Sequence, residues 1–252
     1  MLKKPLISID ISLGSYYNFI DEIMALAEND KNSEYICVSN VHMLVEAYRD
    51  KQFKDIVNSS IITTPDGLPL TWALKLLFGI KQERVAGMDL LPDLLQQASL
   101  QKMPVFFYGS TPDTLEKTKL YIKIHYPDIP HVGSISPPFR SLAEGEEQQF
   151  IEKINCSGAK LIFVSLGCPK QEKWMASMKG RVNGIMIGIG GALPVLIGEQ
   201  KRAPHWMQKM GLEWFYRLLQ EPRRLFRRYF FTNIIFISLV LIYLFRNLKV
   251  SK

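Results

Sequence analysis

The stretch LIFVSLGCPKQEKWMASMKGRVNGIMIGIGG, residues 161–191, decides the fold class. Leu161–Ser165 and Ile185–Ile189 are short apolar runs with β-branched residues, and Gln171–Met178 between them carries a helical pattern. A strand, a helix and a second strand within about 30 residues make a βαβ unit, whose strands run parallel because the helix returns the chain to its starting edge. Apolar residues at consecutive rather than alternate positions mean that both faces of these strands are covered. Each strand leaves through a turn, Gly167-Cys168-Pro169 after the first and Gly188-Ile189-Gly190-Gly191 after the second.

The same alternation extends in the N-terminal direction. Tyr35–Val38, Ile61–Thr64, Val105–Tyr108 and Val132–Ile135 read as strands. Tyr16–Ala27, Val41–Val57, Leu68–Phe78, Asp89–Leu100, Thr114–His125 and Glu144–Asn155 read as helices. The pattern predicts an α/β fold: a parallel-sheet, Rossmann-like body with helices on both faces, binding its ligand beyond the C-terminal ends of the strands. From Lys201 the pattern becomes helical, Trp-rich and Arg-rich, so three units are expected: a body over 1–198, an Arg/Trp-rich helical appendage over 199–229, and an apolar membrane-anchoring tail over 230–252.

Charge follows that division. The formal net charge of the 252-residue chain is +7, but residues 1–198 hold 20 basic and 21 acidic side chains while residues 199–252 hold 11 and 3. A near-neutral body argues against a nucleic-acid binder, which would spread cations over its folded surface. The tail joins its cations to apolar residues instead: Phe230 to Phe245 carries no charge and is bracketed by Arg227 and Arg228 before it and Arg246, Lys249 and Lys252 after it. That arrangement suits a membrane. Sixteen helical residues reach about 24 Å against a hydrocarbon core of about 30 Å, so a shallow anchor and a short spanning helix both stand, beside the plainer reading of a buried C-terminal helix packed on the body. The polar-interrupted start, in which Met1-Leu2-Lys3-Lys4 leads into ISIDIS, lacks the apolar core of a signal peptide, so the body is expected to stay in the cytoplasm. Cys37, Cys156 and Cys168 have no metal-type spacing and read as small apolar fillers.

Several segments carry candidate chemistry. Asp66 in Thr63-Thr64-Pro65-Asp66-Gly67 sits between a strand and a helix, where it is either the helix N-cap or a general base in the ligand crevice. Gly190 and Gly191 offer bare backbone N–H groups to a phosphate, although neither GxGxxG nor GxxxxGK[ST] is present. No DxD pair occurs, so a metal clamp on a nucleotide diphosphate is not expected and cations or backbone dipoles would have to stabilise a leaving diphosphate. Arg84 and Gln171 lie at helix starts and are either surface polar residues or part of that crevice. Arg217, Arg224 and Arg227, spaced by seven and three, share a helical face if Pro222 only kinks or restarts the helix. They read either as lipid-headgroup cations or as a diphosphate clamp.

Together VSNVHMLVEA, TTPDGLPL, ERVAGMDLL, FFYGS, VSLGCPKQEKW, IGIGGAL and KRAPHWMQKMGLEWFYRLLQEPRRL resemble the WecG/TagA/CpsF glycosyltransferases, glycosyltransferase family 26, from about Tyr35 to Arg228. The resemblance implies an inverting β-glycosyltransferase that moves a sugar from a UDP-sugar to a polyprenyl-diphosphate-linked sugar in cell-surface polysaccharide biosynthesis. No metal or other cofactor is implied, and the place of action would be the cytoplasmic face of the bacterial inner membrane, against its lipids. On this resemblance Asp66 is the catalytic base, Asn40 contacts a sugar, and Arg84 and Gln171 line the same pocket. Gly190 and Gly191 approach the nucleotide, and Arg217, Arg224 and Arg227 complete the site over a diphosphate. Val38-Ser39-Asn40 departs from the Thr-Pro-Asn of some members, and Pro137-Pro138-Phe139-Arg140 is closer to exopolysaccharide members. Glucose therefore stands beside an N-acetylmannosamine-type donor, with an oligomer left open. The competing reading from another class is a non-catalytic, membrane-associated module that binds nucleotides or polyanions.

Overall fold

The computed structural model describes residues 1–29, 32–130, 132–138, 140 and 142–250, with the side chains of 224 and 246–250 outside the description. The chain begins with a hairpin, β1 (Lys3–Leu6) and β2 (Ile9–Ser12), followed by α1 (Tyr16–Glu28) and β3 (Ser33–Ser39). Next come α2 (Val41–Arg49), α3 (Lys51–Asn58), β4 (Ile62–Pro65), α4 (Leu68–Phe78) and α5 (Gly87–Leu100). The second half holds β5 (Val105–Gly109), α6 (Pro112–His125), β6 (Val132–Ile135), α7 (Glu146–Cys156), β7 (Leu161–Ser165), α8 (Lys170–Met178) and β8 (Gly184–Gly188). A 3₁₀ turn at Gly190–Ala192 leads into α9 (Leu193–Leu196), and α10 (His205–Lys209), α11 (Glu213–Gln220) and α12 (Pro222–Val250) complete the chain.

Strands β3 to β8 form one six-stranded sheet in the order β4-β3-β8-β7-β5-β6, and every pair in it is parallel. Period-two alternation builds two cores from it. Tyr35, Cys37, Phe106, Tyr108, Ile162 and Val164 face α2, α3, α8 and α12, whereas Ile36, Val38, Val105, Phe107, Leu161 and Phe163 face α1 and α5. Phe107 and Phe163 stack across neighbouring strands with ring centroids 5.3 Å apart. The α/β fold with a parallel sheet and an apolar C-terminal helix is therefore present, as the alternation predicts.

Local chemistry sets two departures. The helix expected over Val41–Val57 is two helices broken at Asp50. The Asp50 N–H caps the end of α2 by donating to Glu46 O, while its carboxylate accepts from the Gln52 and Phe53 N–H groups and starts α3. The β1–β2 hairpin was not expected, because KKPL and IDIS are too polar to read as buried strands; it holds on through Ser12 Oγ, which accepts from Thr63 N–H at 3.0 Å. Cys37 is buried and Cys168 half-buried, but Cys156 is exposed, so the filler reading fails there. Gly109 is required at the end of β5: its φ is 102° and a Cβ would lie 2.5 Å from Ser165 O.

Helix α12 is a continuous 29-residue element packed against α2, α4 and α11. Phe236, Leu239 and Val240 belong to the same buried cluster as Met43 and Leu44 of α2. The Tyr243 hydroxyl donates to Ile7 O of the hairpin at 3.4 Å.

Candidate active site

The C-terminal ends of β3, β4, β7 and β8 open into a cleft of ≈ 410 Å³, walled on its far side by α11 and α12. It lies where the fold class predicts a ligand, and the appendage supplies much of its enclosure.

Asp66 stands at the exit of β4. Its N–H donates to Ser39 O at 2.6 Å, which ties this strand end to its neighbour. The N-cap of α4 is Gly67, with φ 109° and no side-chain cap, so the N-cap reading of Asp66 does not hold and its carboxylate is left facing the cleft. None of the described side chains hydrogen-bonds that carboxylate. Enclosure by protein, opposed by the positive charges of Arg84 and Arg217 and assisted by Glu213 and Asp89, raises its pKa to about 7. A carboxylate of that basicity accepts a proton readily at neutral pH.

Arg84 lines the cleft, but its charge is shared out. Its guanidinium bonds to Glu213 of α11 and, at 2.8 Å, to Asp89 of α5, and Arg202 bridges the same two carboxylates. This four-residue ionic network fastens the appendage to the body beside Asp66. Arg217 reaches from α11 to the opposite turn, where its Nη2 is 3.4 Å from Gly191 O.

Gln171 is 3% exposed and works as a brace. Its Oε1 accepts from both Gly167 N–H and Gly190 N–H, each at 3.2 Å, which links the turns after β7 and β8. Its Nε2 donates to Glu172 Oε1 at 2.7 Å, which fixes the orientation of the amide; burial pushes the Glu172 carboxyl up to about 7. The Gly190 N–H is therefore taken, and it is not free for the phosphate contact expected from sequence. Ser165 Oγ adds a third tie, donating to Gly190 O at 2.7 Å. Gln171→Leu leaves two turn N–H groups without their acceptor, at roughly 1–3 kcal/mol each. Urea unfolding should show a loss of about 2–4 kcal/mol and initial rates a donor KM raised about tenfold or more.

Beside Asp66, at the end of the neighbouring strand β3, Asn40 is the N-cap of α2, its Oδ1 accepting from Met43 N–H at 3.2 Å while the side chain lines the cleft. His42, two residues on, lines the cleft as well. Burial and the nearby charge of Arg228 lower its pKa to about 4, and its buried Nδ1 has no hydrogen bond. Arg228 enters from α12, stacked 5.2 Å from the centroid of the Tyr229 ring, with a buried Nε that has no hydrogen-bond partner.

The structure thus gathers Asp66, Asn40, Arg84, Gln171, Gly190, Gly191 and Arg217 around one cleft. Arg227 is exposed and does not line it, and the side chain of Arg224 lies outside the described residues. The chain restarts at Pro222, so the spacing from Arg217 does not carry through, and the phase of α12 turns Leu225, Arg228, Tyr229, Thr232 and Asn233 inward. His42 and Arg228 are the residues that sequence reasoning missed. The i, i+3, i+4, i+7, i+8 pattern of the inward residues was present in the sequence as a signal.

A parallel α/β sheet with a basic carboxylate at its strand ends and arginines lining the same cleft has the parts of a group-transfer enzyme acting on an anionic substrate. Residues 5–250 match the model of the glycosyl transferase WecG/TagA/CpsF family, and the chain belongs to that family. A relative from Bacillus subtilis (strain 168) is 31% identical over 211 residues, covering 82% of this chain and 79% of its own. Another, from Bacillus spizizenii, is 28% identical over 225 residues, covering 89% and 86%. Both bear the name N-acetylglucosaminyldiphosphoundecaprenol N-acetyl-beta-D-mannosaminyltransferase.

Proposed function

We propose that this glycosyltransferase moves a sugar of the N-acetylmannosamine type from its UDP conjugate to a sugar carried on a polyprenyl diphosphate, in the assembly of a cell-envelope polysaccharide. The observation that carries the reading is Asp66, a carboxylate with its pKa raised to about 7, free of hydrogen bonds from the described side chains and facing a cleft that Arg84, Arg217 and Arg228 also line. The names of the two relatives supply the sugar and the lipid-linked acceptor. Glucose remains the competing donor sugar.

In this reading the acceptor hydroxyl oxygen attacks the anomeric carbon on the face opposite UDP and passes its proton to Asp66. The bond from the anomeric carbon to the UDP oxygen breaks with its electron pair leaving on UDP, and the configuration inverts. Arg217, beside the Gly190-Gly191 turn, offsets charge on the departing diphosphate without a metal ion. Arg228 and neutral His42, which line the same cleft, suit the acceptor's diphosphate. The work is done at the cytoplasmic face of the inner membrane, where nucleotide sugars and the lipid carrier meet.

A panel of UDP-sugars with a short-chain lipid-diphosphate acceptor, read by product mass and linkage, tests this. UDP-N-acetylmannosamine should give a β-linked product at a rate unchanged by EDTA. Transfer of glucose alone would revise the donor. Tight nucleotide binding without acceptor-dependent UDP release across the panel would replace the reading with the non-catalytic module.

A further inference from the structure

Gln171 and Glu172 are neighbours in the first turn of α8, where successive side chains diverge by about 100° around the helix. Both are nonetheless buried, Glu172 completely, while Lys170 and Lys173 on either side are exposed. The fold thus takes a carboxyl group out of water here and leaves it incompletely partnered. Glu172 Oε1 accepts from Gln171 Nε2 at 2.7 Å, and Oε2 is buried without a hydrogen-bond partner. The Cys168 thiol lies against the same carboxyl. Burying such a group costs free energy that an apolar side chain would not. What it supplies is an acceptor aimed at one amide.

That amide holds a demanding position. The two ends of a glutamine amide have nearly the same shape and opposite hydrogen-bonding sense. Gln171 must turn Oε1 to the Gly167 and Gly190 N–H groups, so Nε2 points away from both and needs an acceptor of its own. Glu172 provides it. Gly188, the last residue of β8, leaves the room: a Cβ there would lie 2.8 Å from Gln171 Nε2 and 2.9 Å from Met175 Cε. The turn that follows is held from outside, its Gly190 N–H by Gln171, its Gly190 O by Ser165 Oγ and its Gly191 O by Arg217. Two glycines in succession have no side chains to fix their own backbone, and Gly190 sits at φ 54°.

We propose that Glu172 is a positioning residue for the nucleotide: by accepting from Gln171 Nε2 it locks the amide in the one orientation that holds the Gly190-Gly191 turn in its binding shape. Glu172 does not itself line the cleft, so it acts through Gln171 and not on the substrate. That the turn receives a nucleotide diphosphate rests on the function proposed above; that Glu172 holds the turn rests on the geometry alone. The chemistry asked of position 172 is acceptance of a hydrogen bond. Glutamine should therefore replace the native residue, and methionine, of similar length, should not.

Hydrogen exchange at the Gly190 amide and calorimetric binding of UDP test the two statements separately on the full chain. Glu172→Met should speed Gly190 exchange by about tenfold or more and weaken UDP binding about five- to tenfold, with kcat at saturating donor within about threefold of the wild type. Glu172→Gln should keep exchange and affinity within about threefold. In a Gln171→Leu background, Glu172→Met should weaken UDP binding by less than about twofold more, because the two residues act as one unit. Gly188→Ala leaves Glu172 in place and crowds the amide; it should reproduce the Glu172→Met behaviour, and it decides the matter if Glu172→Met does not fold. Unchanged Gly190 exchange in either variant overturns the proposal, as does a Glu172→Gln variant as impaired as Glu172→Met. Losses that multiply with Gln171→Leu overturn it too, and so does faster exchange with UDP affinity intact. A wild type that binds no UDP yet shows the exchange pattern counts against the proposed function and leaves the hold on the turn standing.

Discussion

Asp66→Asn lowers turnover by roughly 10²–10⁴-fold while nucleotide binding changes little, because the substitution keeps the shape of the side chain and removes its basicity. In the wild type the rate should rise with pH to a plateau, with a midpoint near the Asp66 pKa of about 7, since the base acts only when deprotonated. That limb should vanish in the residual activity of the variant. A second consequence has the opposite sign. Below the unfolded value of 3.8 the carboxyl is protonated in both states, and between 3.8 and about 7 the native state holds a proton that the unfolded chain has released. Stability contributed by the protonated group is thus lost as pH rises through that window. Asp66→Asn should therefore stabilise the fold by roughly 2–4 kcal/mol at pH 8, allowing for water in the cleft, and by nothing measurable near pH 3. Near-normal turnover together with an unchanged pH profile would remove Asp66 from its role.

The second large effect is expected at Arg228. Its guanidinium forms no ion pair with any described residue, and it faces a histidine that its own charge helps to keep neutral. An anion bound there would gain charge-assisted hydrogen bonds worth roughly 1.5–3 kcal/mol. Arg228→Ala should raise the KM for a soluble diphosphate acceptor by about 10–150-fold, leave donor KM within a few fold, and act without any membrane present. Arg227→Ala should leave that soluble reaction unchanged and weaken activity only on vesicles. The reverse ordering of the two variants would show that the phase of α12 has been misassigned.

The parts of the molecule readable in the sequence are those whose physics is local. Leu161–Ser165 and Val105–Tyr108 declare themselves because strands covered on both faces carry apolar residues at consecutive positions. The Asp50 break between α2 and α3 was written in Arg49-Asp50-Lys51-Gln52 as an N-cap, but the apolar periodicity on either side hid it. The role of Asp66 depended on whether the cap fell on it or on Gly67, a matter of one backbone angle. Gln171 reads from the sequence as a surface polar residue or part of the crevice, and its work of joining two turns depends on Gly167 and Gly190 arriving together from different strands. The distinction between Arg227 and Arg228 is a single 100° step of helix, which spacing from a neighbouring helix cannot fix once Pro222 has restarted the count.

The ionic network of Arg84, Asp89, Arg202 and Glu213 gives the appendage a hold on the chemistry itself. Glu213 occupies Arg84, the cation that most strongly favours ionised Asp66, while the walls from α11 and α12 keep solvent from the carboxylate. Detaching those helices would hydrate Asp66 and release Arg84 toward it, and both changes make the carboxylate a weaker acceptor of protons. Docking of the appendage therefore sets proton affinity as well as enclosure, so the strength of the base is a property of the assembled fold and is absent from the bare body.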